Sequence, residues 1–133
     1  MAEIRIFNPP TLGTPLGQYS QIARVKASEY IFIAGQVGTA ADGTIRDGFT
    51  AQVEQAFANT LVALEACDAG WGNVVQFTTY LVHSQDIPLF MDYRQREFPK
   101  MFANGAYPPN TLLMIDRLVK EALLFEVQTV AAI

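Results

Sequence analysis

One cysteine, Cys67, and one histidine, His83, are all that the 133 residues offer of the side chains most used for covalent catalysis and metal binding. A single cysteine excludes an intrachain disulfide and a multi-cysteine zinc site. A single histidine argues against a His-based metal centre, and neither metal nor cofactor is expected. Charge is also scarce. Charged residues make up 17%, with 9 Lys+Arg against 13 Asp+Glu and a net charge of −4. No run of basic residues occurs, so no nucleic-acid partner is expected, because such binding needs clustered positive charge. No apolar run reaches membrane-spanning length, and "MAEIRIFNPP" lacks the apolar core of a signal peptide. The expectation is a cytoplasmic protein with no membrane partner.

What the chain has is apolar bulk. Hydrophobic residues are 50% of the total. The length fits one domain, 1–133, able to bury a core without staples. So apolar a composition implies either a well-filled monomer core or apolar surface shared between subunits.

The periodicity gives the elements. "EIRIF" alternates as a short strand and ends at "NPP". "TLGTPLGQYSQ" is loop, its glycines and prolines suited to turns and close backbone approach. "IARVKA" and "YIFIAGQV" are two strands, with "SE" between them as a tight hairpin. From Phe49 to about Ala69 the period becomes helical. Val53, Ala56, Phe57, Leu61 and Leu64 form the apolar stripe, while Gln52, Glu54 and Glu65 lie off it. Gly70 and Gly72 stop the helix. "NVVQFTTYLV" is a long strand. Ser84 or Asp86 caps a second helix with Pro88 in its first turn. Phe90, Tyr93 or Arg94, Glu97 or Phe98, and Met101 follow its period, and Pro99 ends or kinks it. "TLLMID" and "LLFEVQTVAA" complete the strands.

The order β-β-β-α-β-α-β-β predicts an α+β fold: a six-stranded mixed sheet with both helices on one face. The last two strands carry apolar residues at both parities. Leu113 and Ile115 alternate with Leu112 and Met114, and Phe125 and Val127 with Leu124 and Val130. Such strands are covered on both sides, which points to a homo-oligomer whose sheets face each other.

Nucleophilic chemistry finds little support. Cys67 lies near the apolar stripe and is expected in the core, away from the electropositive, accessible setting a reactive thiol needs. His83 ends a strand beside Ser84 and Asp86, a loop or cap position rather than a triad. The glycines of "GQVGTAADG" are not followed by the Gly-Lys-Ser/Thr of a phosphate loop. Glu54 and Glu65 are solvated. Polar residues inside apolar strands say more: Gln36 after "IFIAG", Glu126 and Gln128 in "LLFEVQTVAA", and Arg117 after "TLLMID". A carboxylate in such a strand is paired, exposed on a strand face, or set at a wet pocket.

Taken in order, "GQYSQ", "IFIAGQ", the Asn of "FANTLVALEA", "YPPNT", "IDRL" and "FEVQTVA" resemble the motifs of the RidA family, also called YjgF, over nearly the whole chain. No one motif is specific; their order is. The resemblance implies a chorismate-mutase-like homotrimer. Three sheets form an inner β-barrel with the helices outside, and small-molecule clefts lie between neighbouring subunits. It implies hydrolysis of enamines or imines to a carbonyl compound and ammonia, without metal or cofactor. A trimer that binds a small metabolite without turning it over is the alternative. An endoribonuclease or translation inhibitor, as some relatives are described, is a weaker one.

Carried over by position, Tyr19 matches a tyrosine lining the cleft. Gly35 matches a glycine whose backbone faces the ligand, with Ala34 in place of the usual serine before it. Glu126 matches the acidic residue that holds the attacking water. Asn110 falls where the family carries an arginine that grips the substrate carboxylate. A neutral amide replaces a two-pronged, charge-assisted contact, so a carboxylate-bearing imine is expected to bind poorly. Asp92 stands where many relatives carry Asn. Arg24 and Arg117 are the two candidates to replace the missing charge.

Overall fold

The computed structural model describes residues 1–133. Its elements are β1 (Glu3–Phe7), β2 (Ile22–Lys26), β3 (Tyr30–Val37), α1 (Phe49–Glu65), β4 (Val74–Leu81), α2 (Ile87–Met101), β5 (Asn110–Met114) and β6 (Phe125–Ala132). Short 3₁₀ turns precede β4, precede α2 and follow α2. No helix is long and apolar enough to cross a membrane.

The six strands form two sheets rather than the single sheet expected. β1 and β2 make an antiparallel ribbon, and the others a four-stranded sheet in the order β3-β6-β4-β5. Only β4 and β5 run parallel, with α2 in the crossover between them.

The expected hairpin between β2 and β3 does not form. A two-residue hairpin needs positive φ at its first central position. Neither Ser28 nor Glu29 adopts it. Their N–H groups both donate to Ile133 O, at 3.0 and 3.1 Å, and Ile133 N–H donates back to Glu29 O at 2.9 Å. This connection is therefore spent on tying β3 to the end of β6.

The helices cover one face of the larger sheet. On α1 the buried side chains are Phe49, Gln52, Val53, Ala56, Phe57, Thr60 and Leu64; on α2 they are Phe90, Tyr93, Arg94 and Phe98. Phe57 is the hub. Its ring stacks on Tyr93 at 5.3 Å and meets Phe77 and Phe98 edge-on at 5.5 and 5.6 Å. Edge and offset contacts of this kind exceed simple area burial by about 0.5–1.5 kcal/mol each.

Four local readings need correction. Gln52 is buried rather than off the stripe. Its Nε2 donates to Arg46 O and Ala122 O, and its Oε1 accepts from Leu124 N–H at 2.8 Å. α1 ends at Glu65, before the glycines expected to stop it. Asp68 takes a left-handed φ of 55°, and Asp68 and Ala69 N–H close the turn onto Glu65 O and Leu64 O. Cys67 sits in that turn and is exposed, not in the core. α2 runs past Pro99 to Met101, because the missing N–H and the ring clash are felt only near the helix end.

The opposite face of the sheet carries Tyr30, Phe32, Leu113, Tyr80, Glu126 and Gln128, as the register of β3 to β6 requires. Phe32 is 77% exposed and Tyr30 51%. The two-sided apolar pattern is thus real, and within one chain only one side is covered.

Candidate functional site

Cross-strand register decides which of the sequence-derived site residues meet. Asn110 pairs with Phe77, and Phe77 with Thr129, which puts all three on the helix-covered face. Leu113 pairs with Tyr80, and Tyr80 with Glu126, on the open face. Side chains alternate along a strand, so this parity is binding. Asn110 and Glu126 therefore lie on opposite faces of one sheet.

The Glu126 half is built by a bulge. The pairing of β3 with β6 shifts between Ile33 and Gln36, which leaves Ala34 and Gly35 as the irregular step. Gly35 lies directly against the Glu126 carboxylate, where any Cβ would collide with Oε2. Asn59 of α1 holds this strand end, its Nδ2 donating to Val37 O at 3.2 Å and Thr39 O at 3.0 Å. Glu126 is half-buried and joins none of the ion pairs of the chain. Burial pushes its carboxyl pKa up. Beside it, Tyr80 OH donates to Gln128 Oε1 at 3.1 Å.

The Asn110 half is a cleft of about 290 Å³ at the β5 edge, between α2 and the loop that carries Tyr19. Leu16, Ile87, Met91 and Leu112 give it apolar walls, and Tyr19, Arg94 and Asn110 its polar groups. The loop is pinned by its own backbone. Tyr19 OH accepts from Leu16 N–H at 3.2 Å, and Tyr19 N–H donates to Gly17 O at 2.9 Å. A Cβ on Gly17 would stand 2.6 Å from Met91 Cε and 3.1 Å from Arg94 Nη2. Glycine here lets the loop lie low over α2 without displacing the Met91 methyl.

Asn110 starts β5 after Pro108 and Pro109, whose backbone is held by Phe77 N–H donating to Pro109 O at 2.9 Å. Its Nδ2 donates to Thr79 Oγ1 at 3.3 Å, while Oδ1 is buried and meets no donor.

The residue that sequence reasoning missed is Arg94. It is 3% exposed, and no carboxylate pairs with it. Nη2 donates to Met91 Sδ at 3.0 Å, and Nε and Nη1 meet no acceptor. The guanidinium lies 4.7 Å from the Phe90 ring centroid and 5.8 Å from that of Tyr19. Burial lowers its pKa to about 10, opposed in part by the Tyr19 phenol, so it is charged at neutral pH. Cation–π contact returns about 2 kcal/mol when desolvated, against several kcal/mol for burying an ion. The only sequence signal was the ambiguity between Tyr93 and Arg94 in the helical period; both are buried.

The other candidates stand elsewhere. Arg117 is spent on Glu121 at 2.9 Å and on Leu118 O and Val119 O. Arg24 pairs with Arg5 across the β1–β2 ribbon, with Lys26 nearby. Asp92 is exposed and does not line the cleft.

Comparison with known proteins identifies the family and the fold. The sequence profile described as Endoribonuclease L-PSP matches residues 11–133. A 2-iminobutanoate/2-iminopropanoate deaminase from Dermatophagoides farinae is 27% identical, over 100% of this chain and 99% of its own. A RutC family protein of Aquifex aeolicus is 32% identical over 69% of this chain and 70% of its own. Among solved structures, a conserved Rid family protein of unknown function from Yersinia pestis, YyfB, superimposes with a TM-score of 0.86. It is 25% identical and covers 98% of each chain. With a matching profile over most of its length and this fold, the chain belongs to the Endoribonuclease L-PSP family, the family of the RidA/YjgF and RutC proteins.

Proposed function

We propose that the protein hydrolyses a small enamine or imine to a carbonyl compound and ammonia, in a site that two copies of the chain complete. The observation that carries this reading is the Glu126 carboxylate: half-buried, raised in pKa, outside every ion pair, and set against Gly35 on an uncovered apolar face. A raised carboxyl pKa suits a base that must also return a proton near neutral pH.

As Glu126 takes a proton from water, the water oxygen bonds to the iminium carbon. An enamine first takes a proton from solvent at its terminal carbon to become that iminium. The proton on Glu126 then passes to the amine nitrogen, and the carboxylate takes the hydroxyl proton as the carbonyl re-forms and the C–N bond breaks to release ammonia. Tyr19 and the Gly35 backbone position the substrate, and Asn110 hydrogen-bonds it. Because Asn110 and Glu126 occupy opposite faces of one sheet, Glu126 and Gly35 of one copy would face the cleft of another. The exposed Phe32, Tyr30 and Leu113 surround Glu126's face and give the copies something apolar to share. A homotrimer fits this geometry. Named relatives support the chemistry, since one of them is an imine deaminase.

A coupled assay tests it. With 2-aminoacrylate generated from serine by a dehydratase, the protein should speed ammonia release, and Glu126→Ala should lose about 100-fold. Full activity in Glu126→Ala would sink the assignment. A monomer mass by light scattering at micromolar concentration would sink the shared site.

The rival, a cleft that binds a metabolite without turnover, is favoured by that same separation: one chain holds a complete binding half without Glu126. An endoribonuclease has one observation on its side. Ribbon pairing gathers Arg5, Arg24 and Lys26 around one groove, but that groove includes Glu3 and shares no residue with the cleft.

A further inference from the structure

Arg94 is the one charged group in the cleft wall, and its hydrogen bonding is unfinished. A guanidinium has five N–H donors, and here one is directed at a thioether, a weak acceptor. Nη2 carries two hydrogens. With one on Met91 Sδ, the other still completes a fork with Nε or with Nη1, both of which meet no acceptor. Such a fork matches a planar two-oxygen anion. Asn110 adds the complementary group. Thr79 Oγ1 lies 3.5 Å from Thr111 O, its acceptor, and so receives from Asn110 Nδ2, which leaves Asn110 Oδ1 as a buried acceptor lacking a donor. No acidic side chain lines the cleft to satisfy Arg94. Asn59, by contrast, is fully engaged by backbone and Gln55.

We propose that Arg94, presented from α2 rather than from the β5 position held by Asn110, anchors the carboxylate of the cleft's ligand. The Asn110 amide oxygen accepts from an N–H or O–H donor next to that carboxylate. This rests on the Proposed function reading for the location of the site, not for its turnover. It also reverses the expectation drawn from Asn110 alone. The anion-binding charge is retained, and it has moved from a strand to a helix. The ligand is then a small monocarboxylate with a donor on the neighbouring atom, and the apolar walls limit its tail to a short aliphatic group.

The test is binding of lactate, a small monocarboxylate with a hydroxyl donor on the neighbouring carbon, against acetoin, its uncharged near-isostere, to the full-length protein by calorimetry. Wild type should prefer lactate by about tenfold or more. Arg94→Met should erase that preference, and Arg94→Lys should restore part of it, since a point charge keeps attraction but loses the fork. Lactate should also raise the melting temperature of wild type and not that of Arg94→Met. This readout separates lost binding from lost folding. A folded Arg94→Met that keeps the preference would overturn the proposal, as would a wild type that does not bind lactate. The two readings fail separately. Binding that depends on Arg94 without ammonia release sinks the deaminase alone. Turnover with the same KM in Arg94→Met sinks the anchor alone.

Discussion

Each helix buries one long polar side chain, and the two are treated oppositely. Gln52 of α1 is 2% exposed and Arg94 of α2 is 3% exposed. Gln52 gives both its amide nitrogen and its oxygen to backbone groups, and so ties the helix to Arg46, Ala122 and Leu124. Arg94 gives one bond to a sulfur. The first is what a structural polar group looks like: every capacity used, all partners inside the fold. The second leaves its strongest capacity unused, in the wall of the cleft. Depth of burial is the same; what differs is whether the protein has already supplied the partner.

The sharpest way to break this contrast is Gln52→Leu. It should leave Leu124 N–H and two carbonyls without their partner and cost about 3 kcal/mol in urea denaturation, at 1–3 kcal/mol per unmet buried group. A variant as stable as wild type would show that Gln52 is not structural. Asn59→Ala should follow at about 1–2 kcal/mol, through loss of the bonds to Val37 O and Thr39 O at the end of β3. Arg94→Met should have the opposite sign. Removing an unpaired buried charge should stabilise the ligand-free protein by about 1 kcal/mol, visible as a higher melting temperature. A loss instead would make Arg94 structural after all.

Glu126→Gln should give the smallest effect, and one confined by pH. Burial raises the carboxyl pKa in the folded state above its ordinary value. The folded state therefore holds the proton more tightly, and wild-type stability falls as pH rises from the ordinary value through the raised one. Melting curves at acidic and neutral pH should show that fall in wild type and a weaker one in Glu126→Gln.

Much of this was legible in the sequence wherever a single period settled the matter. α1 and α2 start close to where the patterns place them, and β4 and β6 lie within their β-branched runs. Pairing was not legible, because partners far apart in the chain leave no local mark. "SE" looked like a hairpin by length alone, while its backbone conformation and its bonds to Ile133 belong to tertiary structure. The same limit applies to the site. Tyr19, Gly35, Asn110 and Glu126 could be singled out as candidates one at a time. Only the fold shows that they divide into two pairs, Tyr19 with Asn110 at the cleft and Gly35 with Glu126 on the open face. Arg94 was hidden by its type. It entered the helical period only as an alternative to Tyr93, and nothing nearby in sequence marks its lack of a partner.

The place of β6 has a consequence for how the chain comes to be folded. β6 follows every other strand in the sequence, yet it lies second in the sheet, between β3 and β4. During synthesis, β4 and β5 can meet as soon as β5 is made, before β6 emerges. β3 has no partner in that sheet until β6 emerges, and its exposed Tyr30 and Phe32 wait with it. Joining residues as distant as Tyr30 and Ala132 makes closure a late event with a loop-closure cost, and the half-made sheet is the species most open to aggregation. Shortening β6 by a few residues should therefore lower the yield of soluble protein far more than shortening β1.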